Sequence, residues 1–156
     1  MRAYSLSANV PPRRRWPVPS PARGATAGAL AAATDPTPQQ IRAAAARART
    51  HDVVVVTTAN AGQAGRTRQR ALVQAVLRTS RRVVVAAVAT PYDIALFPGA
   101  PTYLATYSNR PIALEALSGV LFGEVTPSGR LPVAIPDATA PGSDLYPIGH
   151  GLRYRP

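Results

Sequence analysis

The chain has 156 residues, no cysteine, and a formal charge of +11 carried by 18 basic against 7 acidic side chains. That length suits one domain with an extension, and the lack of Cys excludes a disulfide framework and a thiolate zinc site. No run approaches the ~20 consecutive apolar residues of a membrane-spanning helix.

The first 34 residues are rich in Pro, Arg and Ala and show no usable period. They read as a disordered, low-complexity lead, because they offer too little apolar surface to offset the entropy of ordering. Arg13, Arg14 and Arg15 before the weakly apolar run 24–33 imitate a secretory leader. The run lacks large apolar residues, and Pro17, Pro19 and Pro21 interrupt the approach, so a leader is not the expected reading. Order is expected from Thr37, where Thr37, Pro38 and Gln40 form a capping-box pattern opening a helix to about Arg49.

Asp52 to Thr58 is a continuous β-branched run, the pattern of a strand buried on both faces of a parallel sheet. Ala59 to Gly65 reads as a small flexible loop. A helix follows over Thr67 to Arg78, with Leu72, Val73, Val76 and Leu77 as its buried stripe. Arg82 to Ala89 repeats the buried-strand pattern. A helical turn from Pro91 through Leu96, a third strand over Thr102 to Tyr107 and a helix over Pro111 to Leu121 come next. Gly123 is placed to end that helix in a left-handed cap. The alternation of strand and helix predicts an α/β fold, a three-layer αβα sandwich around a mostly parallel, doubly wound sheet. From Pro127 the chain turns, extends over Leu131 to Ile135, loops to Ser143 and closes on Tyr146 to Tyr154. Gly149, His150 and Gly151 are not a dinucleotide fingerprint, since they neither follow a buried strand nor open a helix.

The charge is unevenly placed. Five Arg and no acid lie in the first 33 residues, nine Arg face Asp52 alone over 42–82, and four Arg face five acids from Val83 onward. Every basic residue is Arg and none is Lys. No aromatic is interleaved with the Arg-rich helices, so a solvated basic face is expected rather than a sequence-reading nucleic-acid surface.

The phrase from Leu121 to Pro132 (LFGEVTPSGRLP), together with the tail Tyr146-Pro147-Ile148-Gly149-His150-Gly151-Leu152, resembles the C-terminal domain of family 3 glycoside hydrolases. The Pro91-Tyr92-Asp93-Ile94 phrase and the strand around Tyr103 to Ser108 are most similar to the β-N-acetylglucosaminidase-like branch. The resemblance implies a domain that packs against a separate (β/α)8 barrel carrying the nucleophile, on a carbohydrate substrate. A barrel needs roughly 250 residues, so this chain is expected to lack it and to be a truncated or split product without activity of its own. The resemblance starts at about Pro38, which makes 35–156 the expected domain and leaves an early strand of the sheet unaccounted for. It further implies that Phe122 plugs the underside of the sheet, that Leu131 and Val133 pack beside the third strand, and that His150 anchors the tail. The β-glucosidase-like branch places an acidic residue in the loop after the first buried strand, whereas ANAGQAG here has none.

Ligands of doubly wound sheets bind at the carboxyl ends of the strands. Those ends are Thr57, Thr58 and Asn60, then Thr90, Tyr92 and Asp93, then Tyr107, Ser108 and Asn109. They form a polar rim suited to sugar hydroxyls or to a barrel's surface, unless Asp93, Ser108 and Asn109 merely cap helices. A Ser108, His150, Asp93 triad is disfavoured, because no nucleophile elbow surrounds Ser108. His51 and His150 are the only histidines and lie too far apart in sequence to suggest a metal site. No catalytic residue, metal or cofactor is expected. The rival readings are a basic adaptor for an acidic partner and a gene fragment without function.

Overall fold

The computed structural model describes residues 2–7 and 26–154. Five parallel strands form one sheet in the order β2-β1-β3-β4-β5, where β1 is Arg2–Ser7, β2 Thr26–Ala31, β3 Val53–Thr58, β4 Val83–Ala87 and β5 Thr102–Ala105. The expected parallel pairing of the three central runs is present, with Val55 beside Val84 and Val85 beside Tyr103.

Because successive side chains on a strand alternate faces, each valine run feeds two cores. Val54, Val56, Val83 and Val85 face helices α1 (Pro38–Ala48) and α2 (Arg68–Leu77), burying Ala44, Ala48, Leu72, Val73 and Val76. Val55, Ala86 and Val88 face the opposite way, onto Leu114 and Leu117 of helix α3 (Pro111–Leu121). Helices on both faces give the three-layer sandwich that the strand-helix alternation predicts.

The stretch read as a lead contributes β1 and β2, which pair with each other and, through β1, with β3. The sheet therefore continues past β3 where an early strand was unaccounted for. The remainder of that expectation, over residues 8–25, lies outside the described residues. Thr-Ala-Gly-Ala-Leu-Ala has almost no intrinsic strand preference, so pairing with β1, rather than local propensity, decides its state.

Local signals explain the helix ends. Thr37 and Gln40 form the expected capping box, each side chain bonding the other's backbone N–H. Gly123 stops α3 at φ +72°. Thr67 makes no side-chain cap for α2. Instead Asp35 reaches across, accepting from the Arg68 backbone N–H at 2.9 Å and from its guanidinium at 2.7 Å. That pairing holds the Asp35 carboxyl below its ordinary range.

In the tail, β6 (Ile135–Pro136) and β7 (Asp144–Tyr146) form a short antiparallel ladder, and Ile135 is fully buried in the first core. Leu131 packs on that core, and its backbone exchanges hydrogen bonds with the tail, donating to His150 O and accepting from Gly149 N. His150 does anchor the tail, through its carbonyl and through ring contact with Tyr146 at 4.7 Å. Phe122 is a half-buried helix cap, and the residue packed under the sheet is Leu121. The offset follows from helix geometry: Leu114, Leu117 and Leu121 recur at the i, i+3, i+7 spacing of one face, and Phe122 stands beyond it.

Candidate functional site

The strand order 2-1-3-4-5 has a topological switch point between β1 and β3, and in open sheets the crevice outside the carboxyl ends is where ligands bind. The rim at that edge is held by a network reaching across three connections. After β3 the chain enters the Ala59 to Gly65 loop, which was expected to be flexible. Its first turn is instead gripped. Gln69, a fully buried residue of α2, accepts from Ala59 N–H at 2.9 Å and donates to Ala59 O at 3.3 Å, and Arg66 donates to the same oxygen at 3.1 Å. Two residues on, Ala61 N–H donates to Asp93 Oδ1 at 2.8 Å.

Between these grips sits Asn60 at φ +54°, in the left-handed region that non-glycine residues seldom occupy. Its Oδ1 accepts from the Thr90 hydroxyl at 2.9 Å, tying the end of β3 to the connection after β4. Tyr107 lies in the same backbone region at φ +57°, beyond β5. Among the described residues, both non-glycine residues at positive φ thus occur at the carboxyl edge. Strain of this kind persists only where the surroundings over-determine it, and it clusters at functional sites.

Asp93 belongs to a 3-10 helix over Pro91–Leu96 and is 2% exposed. It does not cap that helix; its Oδ1 serves the β3 loop. Oδ2 and the neighbouring Thr58 Oγ1 are both buried and complete no hydrogen bond among the described residues. Burial pushes the Asp93 carboxyl above its ordinary range, against the opposing pull of the loop N–H groups and the Arg66 charge. Below it the Tyr103 hydroxyl donates to Pro91 O at 2.9 Å, and burial followed by the Asp93 charge raises its pKa. A buried carboxyl with a raised pKa is a candidate for acid chemistry in general. Here it has no exposed face through which to meet a substrate.

The remaining rim residues divide between solvent and scaffold. Tyr92 is 44% exposed and Tyr107 45% exposed, each with its ring half out of the protein. Asn109 is exposed. Ser108 Oγ accepts from Arg110 N–H two residues on, and Ser108 O accepts from the Thr106 hydroxyl, so Ser108 shapes a turn and does not cap α3. Thr57 and Thr58 are buried in the strand. His150 makes its contacts with Tyr146, Pro147 and Leu131 in the tail, and nothing associates it with Ser108 or Asp93. Among the described residues no group of three or more His, Asp or Glu could hold a metal. No helix among them is long and apolar enough to cross a membrane.

Sequence reading missed Gln69, Arg66 and Asp35. Gln69 carried a signal: it precedes Leu72, Val73 and Val76 by three, four and seven residues, which puts an amide on the buried stripe. Asp35 acts 33 residues away on Arg68, with no local pattern to announce it.

Residues 5–154 match the model of the Glycosyl hydrolase family 3 C-terminal domain. Among solved structures, the chain is similar to a fungal multi-domain family 3 β-N-acetylglucosaminidase at 29% identity and a TM-score of 0.72, covering 94% of this chain and 16% of that one. It also resembles in fold a family 3 β-N-acetylglucosaminidase from Paenibacillus sp. str. FPU-7 (22% identity, TM-score 0.69, 80% and 25% covered). A β-glucosidase from Kluyveromyces marxianus is a third likeness (21% identity, TM-score 0.61, 74% and 19% covered). The chain thus spans at most a quarter of the length of these structures. No curated protein matches the sequence.

Proposed function

Since the chain belongs to the glycosyl hydrolase family 3 C-terminal domain family, we propose that it is the accessory domain of a glycoside hydrolase acting on β-N-acetylglucosaminides or β-glucosides. In this reading it works by packing its carboxyl edge against a (β/α)8 barrel that supplies the catalytic groups. The observation that carries the proposal is the state of the carboxylates at that edge. Retaining hydrolysis needs two groups flanking the scissile bond, usually carboxyls about 5 Å apart and open to the sugar. Asp35 is clamped on Arg68, and Asp93 is buried against Ala61. Neither is placed to attack or protonate a glycoside.

The same edge has the makings of a docking surface. Tyr92, on backbone held between the Thr90–Asn60 and Asp93–Ala61 bonds, and Tyr107, beyond β5 beside the Thr106–Ser108 turn, both present large, half-exposed side chains. Tyrosines are favoured anchors at interfaces because they bring large contact area at little conformational cost. Asn60 and Asn109 add polar groups at the same edge, where Thr58 ends β3 and Ser108 shapes the turn after β5. Docking would bury the rings and close one wall of the barrel's sugar site.

The test is a pull-down of the purified chain with a family 3 barrel encoded in the same genome and expressed separately. Tyr92→Ala combined with Tyr107→Ala should weaken the complex at least tenfold while the variant keeps the parent's melting temperature. Unchanged affinity would remove this edge from the interface.

A further inference from the structure

The edge opposite the rim is assembled from two connections that the fold lays side by side. The last turn of α1 and the link from it to β3 carry Arg47, Arg49, His51 and Asp52, and the link from α2 to β4 carries Arg78, Arg81 and Arg82. Their strands are neighbours in the sheet, with Val54 beside Val83, and Val54 N–H donates to Arg82 O. All five arginines are exposed. Arg49, Arg78, Arg81 and Arg82 make no ion pair with any described residue. Asp52 is the one carboxylate within these two connections.

The sequence alone reads these cations as a solvated face, because no aromatic is interleaved with them. The parallel register gathers them into one row. We propose that this amino edge is a docking surface for the phosphate backbone of nucleic acid, bound without sequence preference. Guanidinium forks match phosphate oxygens in two-point contacts. The choice of a phosphate backbone over an acidic protein rests on what the two connections lack. Residues 49–52 and 78–82 contain no exposed apolar or aromatic side chain. Protein partners normally anchor on such groups at the centre of the interface, whereas phosphate contacts draw their affinity from counterion release alone. The two connections offer no aromatic ring to stack on a base, so contacts to the phosphates dominate and binding shows no sequence preference.

The test is fluorescence anisotropy of a labelled oligothymidylate with the full chain across a salt series. Four phosphate contacts on single-stranded nucleic acid give a slope of log K against log salt of about −2.8, from roughly 0.7 per contact. Arg81→Glu with Arg82→Glu should weaken binding and reduce the slope to about −1.4, the value for two remaining contacts. Arg49→Gln with Arg78→Gln should give the same slope without reversing charge. Arg110→Glu with Arg153→Glu, which changes net charge equally but elsewhere, should leave the slope of the parent. Circular dichroism melts keep folding separate from binding. No binding at low salt would overturn the proposal, and so would an equal loss in the Arg110 and Arg153 variant, which would make the effect one of net charge. Displacement of the oligothymidylate by poly-glutamate at equal charge concentration would also overturn it, in favour of an acidic protein partner.

Discussion

Gln69 provides the sharpest test of how the rim is built. It is a fully buried amide on an otherwise apolar stripe, and its side chain satisfies both polar groups of the Ala59 peptide. Gln69→Met keeps the length and most of the volume while deleting both bonds. The two losses are unequal. Ala59 O retains the Arg66 guanidinium at 3.1 Å, so only Ala59 N–H is orphaned. A buried donor left unmade costs roughly 1–3 kcal/mol, a visible fraction of the ~5–15 kcal/mol that holds a domain folded. Arg66→Met alone should cost less than about 1 kcal/mol, because Gln69 still serves the carbonyl and only one weaker bond is lost. The double variant should then exceed the sum of the singles by at least ~0.5 kcal/mol, the coupling expected of residues sharing one acceptor. Equilibrium urea unfolding reads the stabilities, and amide exchange at Ala59 reports the local opening. A Gln69→Met variant within ~0.5 kcal/mol of the parent, or strictly additive losses, would refute the claim that Gln69 and Arg66 jointly hold the rim.

Leu117→Ala should lose about 2–5 kcal/mol on urea unfolding, since it empties the centre of the smaller core between α3 and the sheet. Gly151→Ala should cost about 1–3 kcal/mol and loosen the tail in amide exchange, because a methyl there would collide with Gly129 O, a backbone atom that cannot swing away. Asp93 gives a pH signature. Its folded carboxyl titrates above its unfolded value, so ionising it destabilises the fold as pH rises from below the unfolded value through the folded one. Asp93→Asn keeps an acceptor for Ala61 N–H and removes that penalty. The variant's stability relative to the parent should therefore be greater at pH 7 than at pH 3, as measured by urea midpoints; a difference independent of pH would contradict the assignment.

The β-branched runs made the centre of the fold legible. Four consecutive valines can be buried only where both faces of a strand are covered, and both faces of β3 are. Thr37, Gln40 and Gly123 announced their helix ends through side-chain and backbone chemistry confined to a few residues. What stayed hidden depends on contacts distant in sequence. Strand β2 has no strong propensity of its own, and Asp35 reaches Arg68 across a whole strand and helix. The site was legible in outline, because strand ends are fixed once strands are known. Its chemistry was not: Asp93 could be placed at the edge from sequence, but its burial and its role in holding Ala61 emerge only when two connections meet. Ser108 and Asn109 were expected to cap a helix or face a ligand, and the turn made by Ser108 follows from a bond two residues long.

The central claim, that this chain supports glycoside hydrolysis without performing it, is tested most directly by incubating the purified chain alone with aryl β-N-acetylglucosaminides and aryl β-glucosides. The account predicts no release of aryl alcohol above the buffer background. Turnover by the chain alone that disappears in Asp93→Ala or His150→Ala would contradict it and place a working site within these 156 residues.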